Sequence, residues 1–309
     1  MLKQIFKNSW QTAAYNPLFW IFGFFATIFL GNEMTILINQ ANSTLNLVNN
    51  VYIKNLFSFK EGLAGGANHV FIGVLMYSIL IILIAISTFA QISLISSINK
   101  KGGGGSFKNY LQDGLSCFWP IFLLNVIGLL IINLIFVVMG SFLIHITSVN
   151  SKLFTLFVFL GTLISFLINF IIIFLTKFAS FQLVLEKDRL ILSLKKSLIF
   201  LGKNWKDCLL IMACILGFSF VFGLFFLFIS MGTILPFSIL GVVAYYFGWG
   251  TFFYGLLMVN FCLIMLMLLV AISFFTVFQY SAWVYFFKNK NKGCQTPCCH
   301  RSFDNKTNL

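Results

Sequence analysis

Apolar residues run through the chain in long, nearly unbroken blocks, with polar residues gathered between them. Six blocks, residues 18–38, 70–94, 118–146, 153–177, 208–235 and 253–286, are long enough to cross a hydrocarbon core, which takes about 20 residues of helix. An unpaired backbone amide is too costly in lipid, and no alternating ten-residue strand pattern suggests a barrel, so all six are expected to be helices. The expected fold class is all-α, a polytopic membrane bundle of six transmembrane helices. The pattern assigns 1–287 to the membrane domain and 288–309 to a flexible basic cytoplasmic tail.

Ahead of the first, third and fifth blocks lies a short segment with a single apolar stripe. In the first, Leu2, Ile5, Phe6, Trp10, Ala13 and Ala14 oppose Lys3, Gln4, Lys7, Asn8 and Gln11. The second sets Phe107, Tyr110, Leu111, Leu115 and Phe118 against Lys108, Asn109, Gln112 and Asp113. In the third, Leu190, Ile191, Leu194, Leu198 and Leu201 oppose Arg189, Ser193, Lys196 and Lys203. All three have helical periodicity. Trp20, Trp119 and Trp205 follow as the spans begin, which suggests a threefold hairpin repeat of surface helix, span and return span. Such a helix can lie in the inner leaflet or pack on the base of the bundle, and amphipathicity alone satisfies both.

Composition strengthens the membrane reading. The 309 residues are 60% hydrophobic and 9% charged, against about 45–50% and 25% in soluble domains. Forty-one Phe cannot all be hidden in one aqueous core of this size. The net charge of +13 would raise nucleic-acid binding in a soluble protein, but the basic residues sit between apolar blocks without an aromatic-basic platform, so no nucleic-acid partner is expected. Their distribution orients the chain: sixteen Lys and Arg fall on the side holding both termini and the segments around 100–108 and 187–206, and three (Lys54, Lys60, Lys152) on the other. Both termini are therefore expected in the cytoplasm. The remaining cation, Lys177, would cost about 2.5–3.5 kcal/mol at a helix centre and is expected to end the fourth span and snorkel to the interface. Lys far outnumbers Arg and Asn, Ile and Phe are abundant, which reads as an AT-rich genome; the expected location is a bacterial inner membrane.

Two connections stand out. The Asn-rich stretch from 31 to 69 is expected outside, after a first span retained rather than cleaved. The uncharged stretch 236–250, with Tyr245, Tyr246 and Trp249, is expected to form an interfacial or shallow re-entrant turn.

Ser9-Trp10 followed by Asn16-Pro17-Leu18-Phe19-Trp20-Ile21-Phe22-Gly23, and Leu183-Val184-Leu185-Glu186 leading to Leu194-Lys195-Lys196-Ser197 and Gly202-Lys203-Asn204-Trp205, carry a resemblance. In layout the chain resembles widespread bacterial six-span integral membrane proteins that are similar to the membrane domain attached to some glycerophosphodiester phosphodiesterases. The resemblance implies a membrane module concerned with lipid or envelope; it brings no phosphodiesterase domain and no catalytic residue.

Little chemistry is visible. His145 lies four residues from Ser141 without an orienting acid, Ser219 lacks a nucleophile-elbow pattern, and Gly102–Gly105 has its lysine on the wrong side for a phosphate loop. Cys117, Cys208, Cys214 and Cys262 lie in or beside apolar blocks, while Cys294, Cys298, Cys299 and His300 crowd potential soft ligands too closely for a good tetrahedral site. No enzyme activity, cofactor or metal is expected. Lys3, Lys7, Lys108, Arg189, Lys195, Lys196, Lys203 and Lys206 are expected to meet anionic lipid headgroups or a membrane-protein partner. The intramembrane polar residues Asn125, Asn133, Ser165, Asn169, Ser219, Asn260 and Gln279 are read chiefly as glue between helices. The alternative is a permease or channel-like path for a neutral or amphiphilic solute, for which Asn133, Asn169 and Asn260 are the lining candidates.

Overall fold

The computed structural model describes residues 1–30, 67–100, 107–147 and 151–292, and every regular element among them is an α-helix. In chain order these are α1 (Leu2–Tyr15), α2 (Leu18–Leu30), α3 (Ala67–Asn99), α4 (Phe107–Ser116), α5 (Phe118–Thr147), α6 (Ser151–Leu185), α7 (Leu190–Tyr246) and α8 (Gly250–Lys292). Among the described residues four stretches are long and apolar enough to cross a membrane: Ser78–Asn99, Leu163–Leu185, Leu190–Tyr246 and Thr251–Asn291. Lys108–Ser116 and Phe118–Ile132, bent by 62°, make a fifth if taken together. The last eight residues of the 18–38 block, all of the 31–69 connection up to residue 66 and the tail from 293 onward lie outside the described residues.

Each amphipathic segment is parted from its apolar block by a backbone break. Asn16 leaves helical geometry at φ −125°, ψ 78°, as a residue before proline tends to, and its Nδ2 donates to the Thr12 carbonyl at 3.0 Å. Across this turn Trp20 Nε1 donates to the Ala13 carbonyl at 2.8 Å, tying α2 back to α1. Between α4 and α5 the break falls at Cys117, and Pro120, lacking an N–H, fits the first turn of the new helix. In α7 the break is Asn204, at φ −119°, ψ 22°.

Two expectations need correction. Lys177 does not end a span: α6 runs on to Leu185, and Lys177 is only 9% exposed rather than snorkelling. Nor is 236–250 a re-entrant turn. α7 continues helically through Pro236 to Tyr246, and the reversal is confined to Phe247–Trp249, where Gly248 takes φ 73°.

Contacts divide the chain into two compact units. One comprises residues 1–24, 97–104 and 204–309. Its described core is the second half of α8, where Val277, Phe278, Ala282, Trp283, Val284, Phe286 and Phe287 are all buried. α1 lies along it: Phe6 and Trp10 meet Phe278, Trp10 also meets Phe274 and Phe218, and Thr12 shares a 2.9 Å hydrogen bond with the Tyr285 hydroxyl. α2 approaches α8 backbone to backbone at Gly23, where a Cβ would stand 2.6 Å from the Ser273 carbonyl oxygen.

The other unit comprises residues 25–96 and 105–203. Ile92 of α3, Ile121 and Leu124 of α5 and Ala179 and Leu183 of α6 form its core cluster. Gly114 lets α4 settle against Ser93 and Phe89, and Gly128 brings α5 within 3.1 Å of the Thr176 methyl, measured from an added Cβ. Phe178 of α6 meets Phe200 of α7 with ring centroids 4.9 Å apart.

Candidate functional site

The three amphipathic segments solve their burial problem differently. α1 buries Ile5, Ser9, Thr12 and Ala13, so part of the expected stripe is covered by protein, rotated to include two hydroxyls. Ser9 and Thr12 return those hydroxyls to the Ile5 and Asn8 carbonyls at 2.7 and 2.9 Å, which removes the cost of hiding them. In α4, Tyr110 and Gly114 are buried while Leu115 points outward. At the start of α7, Ser193 and Ser197 are fully buried, whereas Ile191 of the apolar stripe is 81% and Leu198 55% exposed.

Basic side chains flank these surfaces. Of the headgroup candidates, Lys3, Lys7, Lys108, Arg189, Lys195, Lys203 and Lys206 are exposed. Lys196 differs, being held by Asp188 at 2.6 Å and Glu186 at 3.2 Å across the turn between α6 and α7. Partial burial works to lower its pKa, but the two carboxylates outweigh this and hold it above the ordinary lysine value. The left-handed φ of 56° at Lys187 forms the turn that brings both acids round. Beyond the Asn204 break, Lys206 lies 5.7 Å from the centre of the Trp205 ring, and Lys290 pairs with Asp207 at 2.6 Å. Lys288 Nζ donates to the Asn99 carbonyl at 3.1 Å, satisfying the end of α3.

The polar interior is less continuous than its residue list suggests. Asn125 Nδ2 donates to Thr88 Oγ1 at 3.1 Å and Gln91 Oε1 at 3.2 Å, joining α5 to α3. Asn169 is fully buried; its Nδ2 reaches Ser165 Oγ at 3.5 Å within the same helix, and its Oδ1 has no hydrogen-bond partner. Asn260 is also buried with Oδ1 unpartnered, but it belongs to the other unit. The Asn133 side chain lies outside the described residues, as do those of Ser141 and His145.

Reading the sequence missed the buried hydroxyl and amide band along α3, where Ser87, Thr88, Gln91, Ser93, Ser96 and Ser97 are all buried. The signal was present as a Ser/Thr-rich end to the second apolar block, but apolar periodicity gives such residues no weight. Cys117, Cys208, Cys214 and Cys262 are free thiols, and among the described residues no group of three His, Cys, Asp or Glu is placed to hold a metal. The Cys294, Cys298, Cys299 and His300 cluster lies outside them. No protein-family model, curated protein or solved structure matches the chain.

Proposed function

We propose that this is a non-enzymatic, six-span protein of a bacterial inner membrane, with both termini in the cytoplasm, that engages anionic lipid through its basic amphipathic segments. The observation that carries the proposal is the first part of α7. It buries Ser193 and Ser197 and exposes Ile191 and Leu198 beside exposed Arg189, Lys195 and Lys203. A helix with that arrangement suits the acyl boundary, with its lysines at headgroup level contributing about 1 kcal/mol each. The breaks at Asn16, Cys117 and Asn204, each just before Trp20, Trp119 or Trp205, support a threefold arrangement of surface segment and span. Reconstitution of the full chain into nanodiscs with and without phosphatidylglycerol tests the lipid reading. Anionic lipid should raise thermal stability, and Lys195→Gln with Lys203→Gln should remove much of that gain. Equal stability in neutral and anionic discs would overturn it.

A second reading, a permease for a neutral or amphiphilic solute, is favoured by the unpartnered Oδ1 atoms of buried Asn169 and Asn260. Buried acceptors left without donors are costly and are often met by water or a ligand. Liposome flux over a solute panel separates the readings: uptake lost in Asn169→Leu or Asn260→Leu supports transport, and no flux supports the lipid-engaging module.

A further inference from the structure

A cleft of about 470 Å³ opens among Met1 just ahead of α1, Leu2 and Lys3 of α1, Asp207 and Leu210 of α7 and Phe286 of α8. That volume lies within the range of small-molecule sites, about 300–1,000 Å³. Its walls have two chemistries. Leu2, Leu210 and Phe286 are apolar, while Lys3 and Asp207 bring charge, and Lys290 Nζ stands 2.6 Å from Asp207 Oδ2. Asp207 and Lys290 balance each other, so Lys3 leaves the cleft with positive character.

The position of the cleft along α7 narrows the class of occupant. It lies where Lys203, Trp205 and Lys206 give way to the uncharged run that begins at Cys208, and Leu209 and Leu210 are 42% and 51% exposed beside it. Tryptophan and lysine mark the headgroup level of a bilayer, and leucine marks the start of the acyl region. A soluble anion would gain nothing from Leu2 and Leu210; an amphiphile would use both walls.

We infer that this cleft holds one anionic phospholipid, its phosphodiester between the ammonium groups of Lys3 and Lys290 and its glycerol and first methylenes against Leu2 and Leu210. Asp207 positions Lys290 and competes with the phosphate for it. The inference rests on the lipid-engaging reading above and adds to it a discrete one-to-one site, which a diffuse basic surface does not supply.

The test uses the full chain in mild detergent, titrated with phosphatidylglycerol and followed by native mass spectrometry. One lipid should bind to saturation. Lys3→Gln and Lys290→Gln should each weaken binding roughly fivefold, the equivalent of about 1 kcal/mol per lysine at a headgroup. Asp207→Asn should tighten it by releasing Lys290, the opposite of what loss of a merely structural ion pair would do. Leu210→Trp should fill the cleft and abolish binding; Lys3→Gln, at an exposed position, keeps the test decisive if Leu210→Trp fails to fold. No one-lipid plateau, equal affinity for phosphatidylcholine, displacement by inorganic phosphate, or unchanged affinity in Lys3→Gln would overturn the site. Lys195→Gln with Lys203→Gln reports separately on the broader lipid reading: those substitutions should leave the one-lipid plateau intact whether or not they alter stability in anionic nanodiscs.

Discussion

Gly23 has no room for a side chain, because an added Cβ would meet the Ser273 carbonyl oxygen at 2.6 Å and a Val277 methyl at 2.9 Å. Backbone cannot yield as a flexible side chain can, so Gly23→Ala should destabilise the α2–α8 contact by about 1–3 kcal/mol, visible as a lower melting temperature in detergent. A melting curve matching the parent would show that the helices do not approach this closely. Asn125 holds α5 to α3 by side-chain bonds alone, and Asn125→Leu should cost about 0.6–1.7 kcal/mol, the range for interhelical hydrogen bonds in membranes. The Lys196 cluster is weaker because the lysine side chain is 41% exposed, and it should contribute no more than about 1 kcal/mol. Its sign with pH is fixed: with the folded pKa raised above 10.5, the contribution is complete below that value and fades as pH climbs through the higher folded value. A stability profile that instead rose between pH 10 and 12 on account of Lys196, judged against Lys196→Met, would contradict the pair.

At the scale of elements, the position and helical character of the described apolar blocks were legible because lipid allows few backbone solutions. The boundaries of α7 were not. Pro236 followed by Tyr245, Tyr246 and Trp249 has the composition of an interfacial turn, yet the helix runs on through the proline, and just before it the Ser230 and Thr233 hydroxyls donate to carbonyls of their own helix at 2.9 and 2.8 Å. Which way the faces turn was left open by the pattern, since a stripe of Leu and Ile suits either lipid or the base of the bundle; what the pattern gave no sign of is the burial of Ser193 and Ser197, small side chains that allow close packing. The uncharged part of α7, residues 208–246, is roughly 58 Å long at about 1.5 Å per residue, nearly twice the hydrocarbon thickness of about 30 Å. Tilt alone, which rarely exceeds about 40°, does not absorb that mismatch. A bend at Pro236, where the i→i−4 hydrogen bond is missing, is one local means of absorbing it, so Pro236→Ala should stiffen the helix. Spin labels at Leu224 and Val243 in nanodiscs should give a broader distance distribution in the parent than in the variant, and identical narrow distributions would argue against a hinge.

At the scale of the whole molecule, charge carries the orientation argument. On the proposed six-span arrangement sixteen basic residues fall on one side and three on the other, and short loops rich in Lys and Arg favour the cytoplasmic side. The candidate site was legible only as a class of residue: the sequence marks Lys3 and Lys206 as headgroup-facing, but nothing in linear spacing brings Lys3, Asp207 and Phe286 to one cleft, because they come from opposite ends of the chain. Orientation decides whether that cleft meets the cytoplasmic leaflet at all. On a background with the native cysteines replaced by serine, Lys7→Cys and Lys195→Cys should resist a membrane-impermeant maleimide applied to spheroplasts and react only after permeabilisation, while Lys54→Cys should react at once. Lys7→Cys and Lys195→Cys labelling from opposite faces would require an odd number of crossings between them, and the six-span arrangement, the basic cytoplasmic surface and its lipid contacts would all have to be redrawn.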